Sequence, residues 1–424
     1  MIIANILQNI AAGFEMYLLG KNGTTTLAAY SIAMSSVFAM FLSVHGGLIN
    51  GAIAVSSRLT GSRRHEELNK TVAQMIMFGV AAFAVFALIF LMFMPSMLTF
   101  FGAKGEVYTM AKQYCSIMLL SFLPFAVFSV LLGTLRGAGD SITPLKVVGS
   151  MSVLWILLNV LFIGVLKMGI LGAAITGFII DTYMAITYFV IFRKGKHFFK
   201  LKLSYFKPDI ATLKTYGALS FKAIMQGLIF DLSGFLMLRL IAGYGNEFIA
   251  AYGIVLRIGF FIMMIGWPIA NSAGVVVGHN IGASEYDRAM KSVMASFKIF
   301  SYVTVPAAFI YFFLPGPFVG LFTADASVIK YASDFMRIMA FALPVMGLGV
   351  AIQGGFSGSG AMGTALILSF LVYWGFRIPA VVIMQHAGLG TGAIYWGMSG
   401  SLIFFGLLFW VFYVKRSWMH RKVM

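Results

Sequence analysis

The sequence predicts an all-α, polytopic membrane protein. Three observations carry this: apolar runs of spanning length follow one another, charge is scarce, and basic residues collect at alternate breaks. Of 424 residues, 60% are hydrophobic and only 10% charged, where a soluble domain would carry roughly 25% charged. Mean hydropathy is +0.94. A hydrocarbon core about 30 Å thick is crossed by about 20 apolar residues in a helix. Spans are therefore predicted over roughly 1–19, 27–57, 71–94, 108–132, 144–166, 170–192, 211–241, 248–278, 292–314, 328–353, 364–385 and 391–414, twelve in all. The second and eighth exceed the length of a span, and Gly46-Gly47 and Pro268 are their expected kink points. The 46 glycines lie within Leu/Ile/Val/Phe runs, where they serve close helix packing.

A net charge of +17 could suggest nucleic acid, but its distribution argues against that partner. One set of breaks holds Arg58, Arg63, Arg64 and Lys70, then Arg136 and Lys146. It continues with Arg193, Lys194, Lys196, Lys200, Lys202, Lys207 and Lys214, then Arg288 and Lys291, and ends with Lys415, Arg416, Arg421 and Lys422. The other set holds little beyond Lys21, Lys104, Lys167 and Lys330. The positive-inside rule assigns the rich set to the cytoplasm, so both termini are expected there, as an even number of spans requires. The basic stretch 193–210 reads as a solvated, lipid-adjacent linker between an N-terminal lobe (1–192) and a C-terminal lobe (211–424). The single cysteine, Cys115, excludes an intrachain disulfide and any Cys-based metal site. Met1–Leu19 has neither a basic n-region nor a small-residue cleavage pattern.

The two halves repeat. Leu27-Ala28-Ala29-Tyr30 matches Ile249-Ala250-Ala251-Tyr252, and Arg136-Gly137-Ala138-Gly139 matches Ser357-Gly358-Ser359-Gly360. At the spacing of the second pair, Thr143 matches Thr364, Phe101 matches Phe322, Ala111 matches Ala332 and Met118 matches Met339; Leu59-Thr60-Gly61 corresponds to Asn280-Ile281-Gly282. A nearly constant offset across several loops means duplication. Six spans separate the copies, so both start on one side, and a pseudo-twofold axis along the membrane normal is expected. That arrangement recurs in transporters that hold substrate between two lobes and rock one against the other. By the same alignment Met1 corresponds to about Ala223, whereas the second copy begins its first helix near Ile210. The first helix is thus expected to lack its cytoplasmic third, and the native chain to start about ten to twenty residues upstream.

At these motifs the chain resembles the multidrug and toxic compound extrusion (MATE) family of the MOP flippase superfamily, closest to its DinF-like branch. The resemblance spans essentially the whole chain. It rests on Glu15 with Leu19-Gly20-Lys21-Asn22-Gly23 and Leu27-Ala28-Ala29, on Leu59-Thr60-Gly61, and on Leu135-Arg136-Gly137-Ala138-Gly139-Asp140 followed by Thr143-Pro144. It rests further on Gly172-Ala173-Ala174-Ile175, Ala250-Ala251-Tyr252-Gly253-Ile254 and Gly354 with Gly358-Ser359-Gly360. The resemblance implies twelve helices in two six-helix lobes and export of drugs or metabolites in exchange for H⁺ or Na⁺. Cationic or amphipathic organic molecules are the expected substrates, a monomer the expected assembly, and the cytoplasmic membrane of a prokaryote the expected location. It also implies a coupling site. Glu15 stands where the branch has a first-helix aspartate, Asn159 where it has a fifth-helix aspartate, and Asp181, Thr176 and Gly177 cover the sixth-helix polar positions. The acid expected in the tenth helix of the NorM-like branch falls near Met346, so that site is missing.

The residues themselves point the same way. Carboxylates inside a membrane face the protein interior and are functional by default. Burial disfavours their charged form, which suits a proton carrier, and oxygen ligands suit a hard cation such as Na⁺. Glu15, Asp181, Asn159 and Thr176 are the expected proton or cation site, with Na⁺ at Glu15, Asp181 and Asn159 as the only metal expected; no other cofactor is. Asp231, the one acid in the membrane part of the second lobe, could pair with Arg239 or Arg257. Asp231, Tyr30, Met225, Phe230, Arg257 and Trp267 are substrate-cleft candidates, since Met is adaptable and aromatic faces attract organic cations. Arg257 and Arg377 are expected to anchor carboxylates, carbonyls or lipid, Lys222 to snorkel, and His45 to be a satisfied hydrogen bonder or a protonatable group. No GxxxxGK[ST] motif occurs, and His65-Glu66 does not continue as HExxH. With no convergent nucleophile, base or metal set, an enzyme is not expected; with no filter-like repeat, neither is a channel. The alternative within the superfamily is a flippase for lipid-linked saccharides, which would bind pyrophosphate through cationic residues such as Arg257, Arg377 and Lys222.

Overall fold

The computed structural model describes residues 2–195 and 199–420; Lys196, Arg421 and Lys422 of the basic breaks lie outside them. The described residues form helices and no strand. In chain order they are α1 (Ile2–Lys21), α2 (Thr24–Gly61), α3 (His65–Phe100), α4 (Gly105–Gly137), α5 (Ile142–Asn159), α6 (Gly169–Arg193), α7 (Ile210–Ile241) and α8 (Asn246–Gly282). There follow α9 (Tyr286–Phe313), α10 (Pro315–Val319), α11 (Ala326–Ala340), α12 (Ala342–Gly358), α13 (Met362–Phe370), α14 (Ile378–His386) and α15 (Gly392–Val414). π-helical turns extend α5 over Val160–Val165 and join α13 to α14 over Leu371–Arg377.

Among the described residues, nine helices, counted with their π-turns, are long and apolar enough to cross a membrane, and α11 with α12 makes a bent tenth. The helices α1 and α2 supply the first two segments expected from the sequence. In the most apolar stretch of α3 only 22% of residues are buried inside the protein, and Leu88, Met92, Phe93 and Phe100 are exposed. Such a surface needs lipid as its solvent, and helices satisfy the backbone there. The tenth segment departs from the continuous span predicted over 328–353, because α11 and α12 meet at 58°. The cause is Pro344, whose ring would clash with the carbonyl of Ala340, four residues back, so the first helix stops at that residue. By contrast α2 and α8 run through Gly46-Gly47 and Pro268 as continuous helices.

The chain divides into two compact units, Met1–Ile224 and Met225–Val423. In the first, α4 packs on α2, α3 and α6, and α1 packs on α5. A Cβ on Gly133 would lie 2.8 Å from Ile49 O and from Ala52 Cβ, and one on Gly137 2.8 Å from Ser56 Cβ, so α4 lies nearly against the α2 backbone. The linker after α6 is tied to α3. Gln74 donates to the Tyr205 and Lys207 carbonyls at 2.8 Å and accepts from Asp209 N at 2.9 Å, while Asn69 accepts from Lys200 N at 2.9 Å. The first half of α7 belongs to this unit: the Tyr216 hydroxyl donates to Leu48 O at 2.9 Å.

In the second unit α12 takes the role of α4, packing on α8, α9 and α15. Its Gly354 and Gly358 sit directly on the backbone of Ala270 and Gly274 in α8. The backbone repeats at single residues as well. Left-handed conformations occur at Gly23 and Gly245 (φ 118° and 95°), Arg63 and Ser284 (59° and 63°), and Gly139 and Gly360 (88° and 77°). Each pair falls at equivalent places in the two copies, so the turns as well as the helices are duplicated.

Candidate functional site

A buried polar cluster forms in the first unit where α1, α2, α4 and α5 approach. Glu15, on α1, is 3% exposed. Its Oε2 accepts the indole N–H of Trp155 at 2.6 Å and the amide N–H of Asn159 at 3.0 Å. Trp155 and Asn159 lie four residues apart on α5 and so share one helix face. The Tyr30 hydroxyl, from α2, is a further hydrogen-bond partner of the same carboxylate. The Tyr30 ring meets Tyr114 of α4 edge-to-face, with centroids 5.5 Å apart. The Tyr114 hydroxyl points to Met34 Sδ at 3.5 Å.

Two buried oxygens, one on α5 and one on α6, are unsatisfied. Asn159 and Thr176 are 0% exposed, yet Asn159 Oδ1 and Thr176 Oγ1 have no hydrogen-bond partner. A helical threonine commonly donates to the carbonyl one turn back; Thr176 does not. Buried acceptors without donors are costly, and these two sit on the helices the sequence singled out. Asp181, also on α6, is only partly buried and accepts no hydrogen bond among the described residues. No hydrogen bond joins it to Glu15 among the described residues.

The structure therefore brings Glu15, Asn159 and Tyr30 into direct contact and leaves Asp181 outside that cluster of hydrogen bonds. Trp155 and Tyr114 were not among the expected site residues. The signal for Trp155 is its place one turn before Asn159, since a buried indole N–H takes a hydrogen-bond partner. No group of three or more His, Cys, Asp or Glu that could hold a metal ion occurs among the described residues. A cation here would be held by one carboxylate and neutral oxygens.

The other candidates scatter over the second unit. Phe230, Arg257 and Trp267 are exposed, and Met225 and Asp231 partly buried. Phe230 stacks edge-to-face on Tyr373 at 5.3 Å and Trp267 on Phe260 at 5.5 Å. His45 in α2 shares a 2.7 Å hydrogen bond with Ser129, which is the structural role expected for it. Arg377 is buried, at 6% exposed; its Nε donates to Ser401 Oγ at 2.8 Å and its guanidinium lies 4.6 Å from the centre of the Tyr373 ring.

The family model MatE matches residues 1–161 and again 223–383, two stretches of equal length that reproduce the duplication. The probable multidrug resistance protein NorM of Thermotoga maritima is 23% identical over 327 residues, 76% of this chain and 70% of that protein. The multidrug export protein MepA of Staphylococcus aureus is 23% identical over 402 residues, 94% of this chain and 88% of that one. Among solved structures, a MOP superfamily transporter from Pyrococcus furiosus superposes with a TM-score of 0.90 at 20% identity, covering 100% of this chain and 95% of that one.

Proposed function

The chain belongs to the MatE family, and from that premise we propose that it is a secondary active exporter, moving drugs or metabolites out in exchange for H⁺ or Na⁺ by alternating access. The multidrug export protein and the probable multidrug resistance protein among the relatives named above support this reading. The observation that carries the coupling half is the Glu15 carboxylate, buried with indole and amide donors on one oxygen and with the unpartnered Asn159 Oδ1 on the same residue that holds it. Glu15, Asn159 and Thr176 form the coupling site, and Asp181, on the same helix as Thr176, is its second carboxylate. Binding a proton or Na⁺ removes the buried charge and changes which donors the site needs, so α1, α5 and α6 have different best packings in the two states. Substrate and cation then favour different conformations, the requirement for exchange, with a coupling of about 1–3 kcal/mol. Amphipathic organic molecules, cationic ones included, are the substrate class.

Transport in proteoliposomes, with the pH and Na⁺ gradients imposed one at a time, tests the proposal. Accumulation of an ethidium-type dye should follow one gradient and vanish when it is collapsed. Equal dye movement with and without either gradient would mean the chain is not an ion-coupled exporter.

A further inference from the structure

Among the described residues, two charged side chains are buried, Glu15 in the first repeat and Arg377 in the second. They occupy matching surroundings. The family matches begin at residues 1 and 223 and end at 161 and 383. At that offset Tyr30, which contacts Glu15, is equivalent to Tyr252, which acts electrostatically on Arg377. The loops before α5 and α13 keep an offset one residue shorter, as in Gly139 and Gly360. The longer offset returns by the ends of the two family matches, and the π-helical turn Leu371–Arg377, placed earlier along its segment than Val160–Val165 is along its own, lies between. Beyond it the faces agree again: Leu157 is exposed, as is Pro379, and Asn159 and Val381 are buried. Trp155 is thereby equivalent to Arg377, and Glu15 to Met237, itself 1% exposed.

The first repeat thus holds a donor, Trp155, and the anion it serves. The second holds a stronger donor where Trp155 stands and a thioether where the anion stands. Arg377 makes no ion pair among the described residues. The groups acting on it electrostatically are Tyr373 and Tyr252, neither of them an anion at neutral pH. Among the described residues only Nε is hydrogen-bonded, to Ser401; the two Nη groups have no partner there, and neither is sealed off from the surface. A buried cation needs a counter-charge, and a guanidinium with both Nη groups free is shaped for a two-oxygen anion. On the other side, Tyr373 offers an aromatic face.

We propose that Arg377 binds the oxyanion, carboxylate or phosphate, of an amphipathic ligand in the second repeat. As a statement about what is exported, this rests on the reading of the chain as an exporter, and it extends the substrate class to organic acids and zwitterions. A phospholipid headgroup presents the same chemistry.

The test uses the full chain in phosphatidylcholine nanodiscs, titrated calorimetrically with 2-naphthoate, its neutral analogue 2-naphthamide, and inorganic phosphate. Naphthoate should bind saturably, about tenfold or more tighter than naphthamide, and phosphate should compete with it. Arg377→Gln should lose about tenfold or more in naphthoate affinity with naphthamide unchanged, and Arg377→Lys, a point charge without the fork, should lose part of it. Adding phosphatidylglycerol to the disc separates the sources: a fall in naphthoate affinity that Arg377→Gln abolishes assigns the arginine to lipid headgroups, and an unchanged affinity assigns it to the free acid. Either supports an oxyanion site. Equal binding of naphthoate and naphthamide to the unmodified chain, no binding of naphthoate or phosphate at millimolar concentration, or an unchanged affinity in Arg377→Gln would overturn it. The first two need no variant, so they decide even where Arg377→Gln does not fold. Binding is read without a gradient, so selective naphthoate binding by a chain that moves dye equally with and without a gradient would keep the oxyanion site and end the exporter reading, and the two proposals fail separately.

Discussion

Glu15 Oε2 takes two N–H donors from one face of α5, and each hydrogen bond to a charged group is worth about 1.5–3 kcal/mol. The carboxylate is thus held ready for a cation without being neutralised by one. Removing a donor leaves the charge less well satisfied, so an arriving cation is held more tightly and released more slowly. Trp155→Phe keeps the ring and loses the N–H; at a fixed gradient it should slow export by about tenfold or more, with the protein folded and inserted. An export rate equal to that of the unmodified chain would show that the indole bond has no part in coupling. At this scale the sequence was partly legible. Glu15 and Asn159 stood out because a charge or an amide in an apolar span is rare and the family spacing reaches both. Trp155 did not, because one aromatic among 42 Phe, 17 Tyr and 6 Trp carries no mark of which N–H is buried. Arg377 was visible as a charge in a span, but its lack of an anionic partner is a fact of three dimensions.

Helix crossings, more than hydropathy, decide how these side chains meet. In the first unit α4 approaches α2 through Gly133 and Gly137; in the second α12 approaches α8 through Gly354 and Gly358. These are equivalent glycines, spaced by four so that they line one face, the small-residue spacing that lets helix backbones touch in a membrane. A Cβ on Gly358 would fall on the Gly274 carbonyl, a backbone atom that cannot rotate away, whereas one on Gly149 meets nothing within 4 Å. Gly358→Ala should therefore lower the thermal unfolding midpoint in detergent, by an overpacking cost of about 1–3 kcal/mol, and Gly149→Ala should leave it unchanged or raise it. Equal midpoints for the two variants would contradict the crossing. The spans were legible as elements because each is a long apolar run. The bend between α11 and α12 was not, because a hydropathy window averages over the backbone and gives Pro344 no special weight.

For the whole chain, duplication was the most legible feature. Matching loops carry matching left-handed residues, and the family model matches twice. What could not be read is that the first unit extends to Ile224, inside α7. That depends on the Tyr216 hydroxyl reaching Leu48 O and on Gln74 fastening the linker to α3, contacts between residues far apart in sequence. The two copies diverged at their buried charges, an acid with donors in one and an arginine without an anion among the described residues in the other, and the two proposals assign them different tasks: cation coupling to the first and an organic ligand to the second. The measurement that tests this division most directly compares two transport modes of Glu15→Gln in proteoliposomes. The amide keeps the shape of the side chain but carries no charge for a cation to neutralise. Glu15→Gln should still exchange labelled for unlabelled dye across the bilayer at a rate near that of the unmodified chain, and fail to accumulate dye against its gradient under any imposed pH or Na⁺ difference. Accumulation by Glu15→Gln to the level of the unmodified chain would contradict it, because the driving cation would then be acting elsewhere.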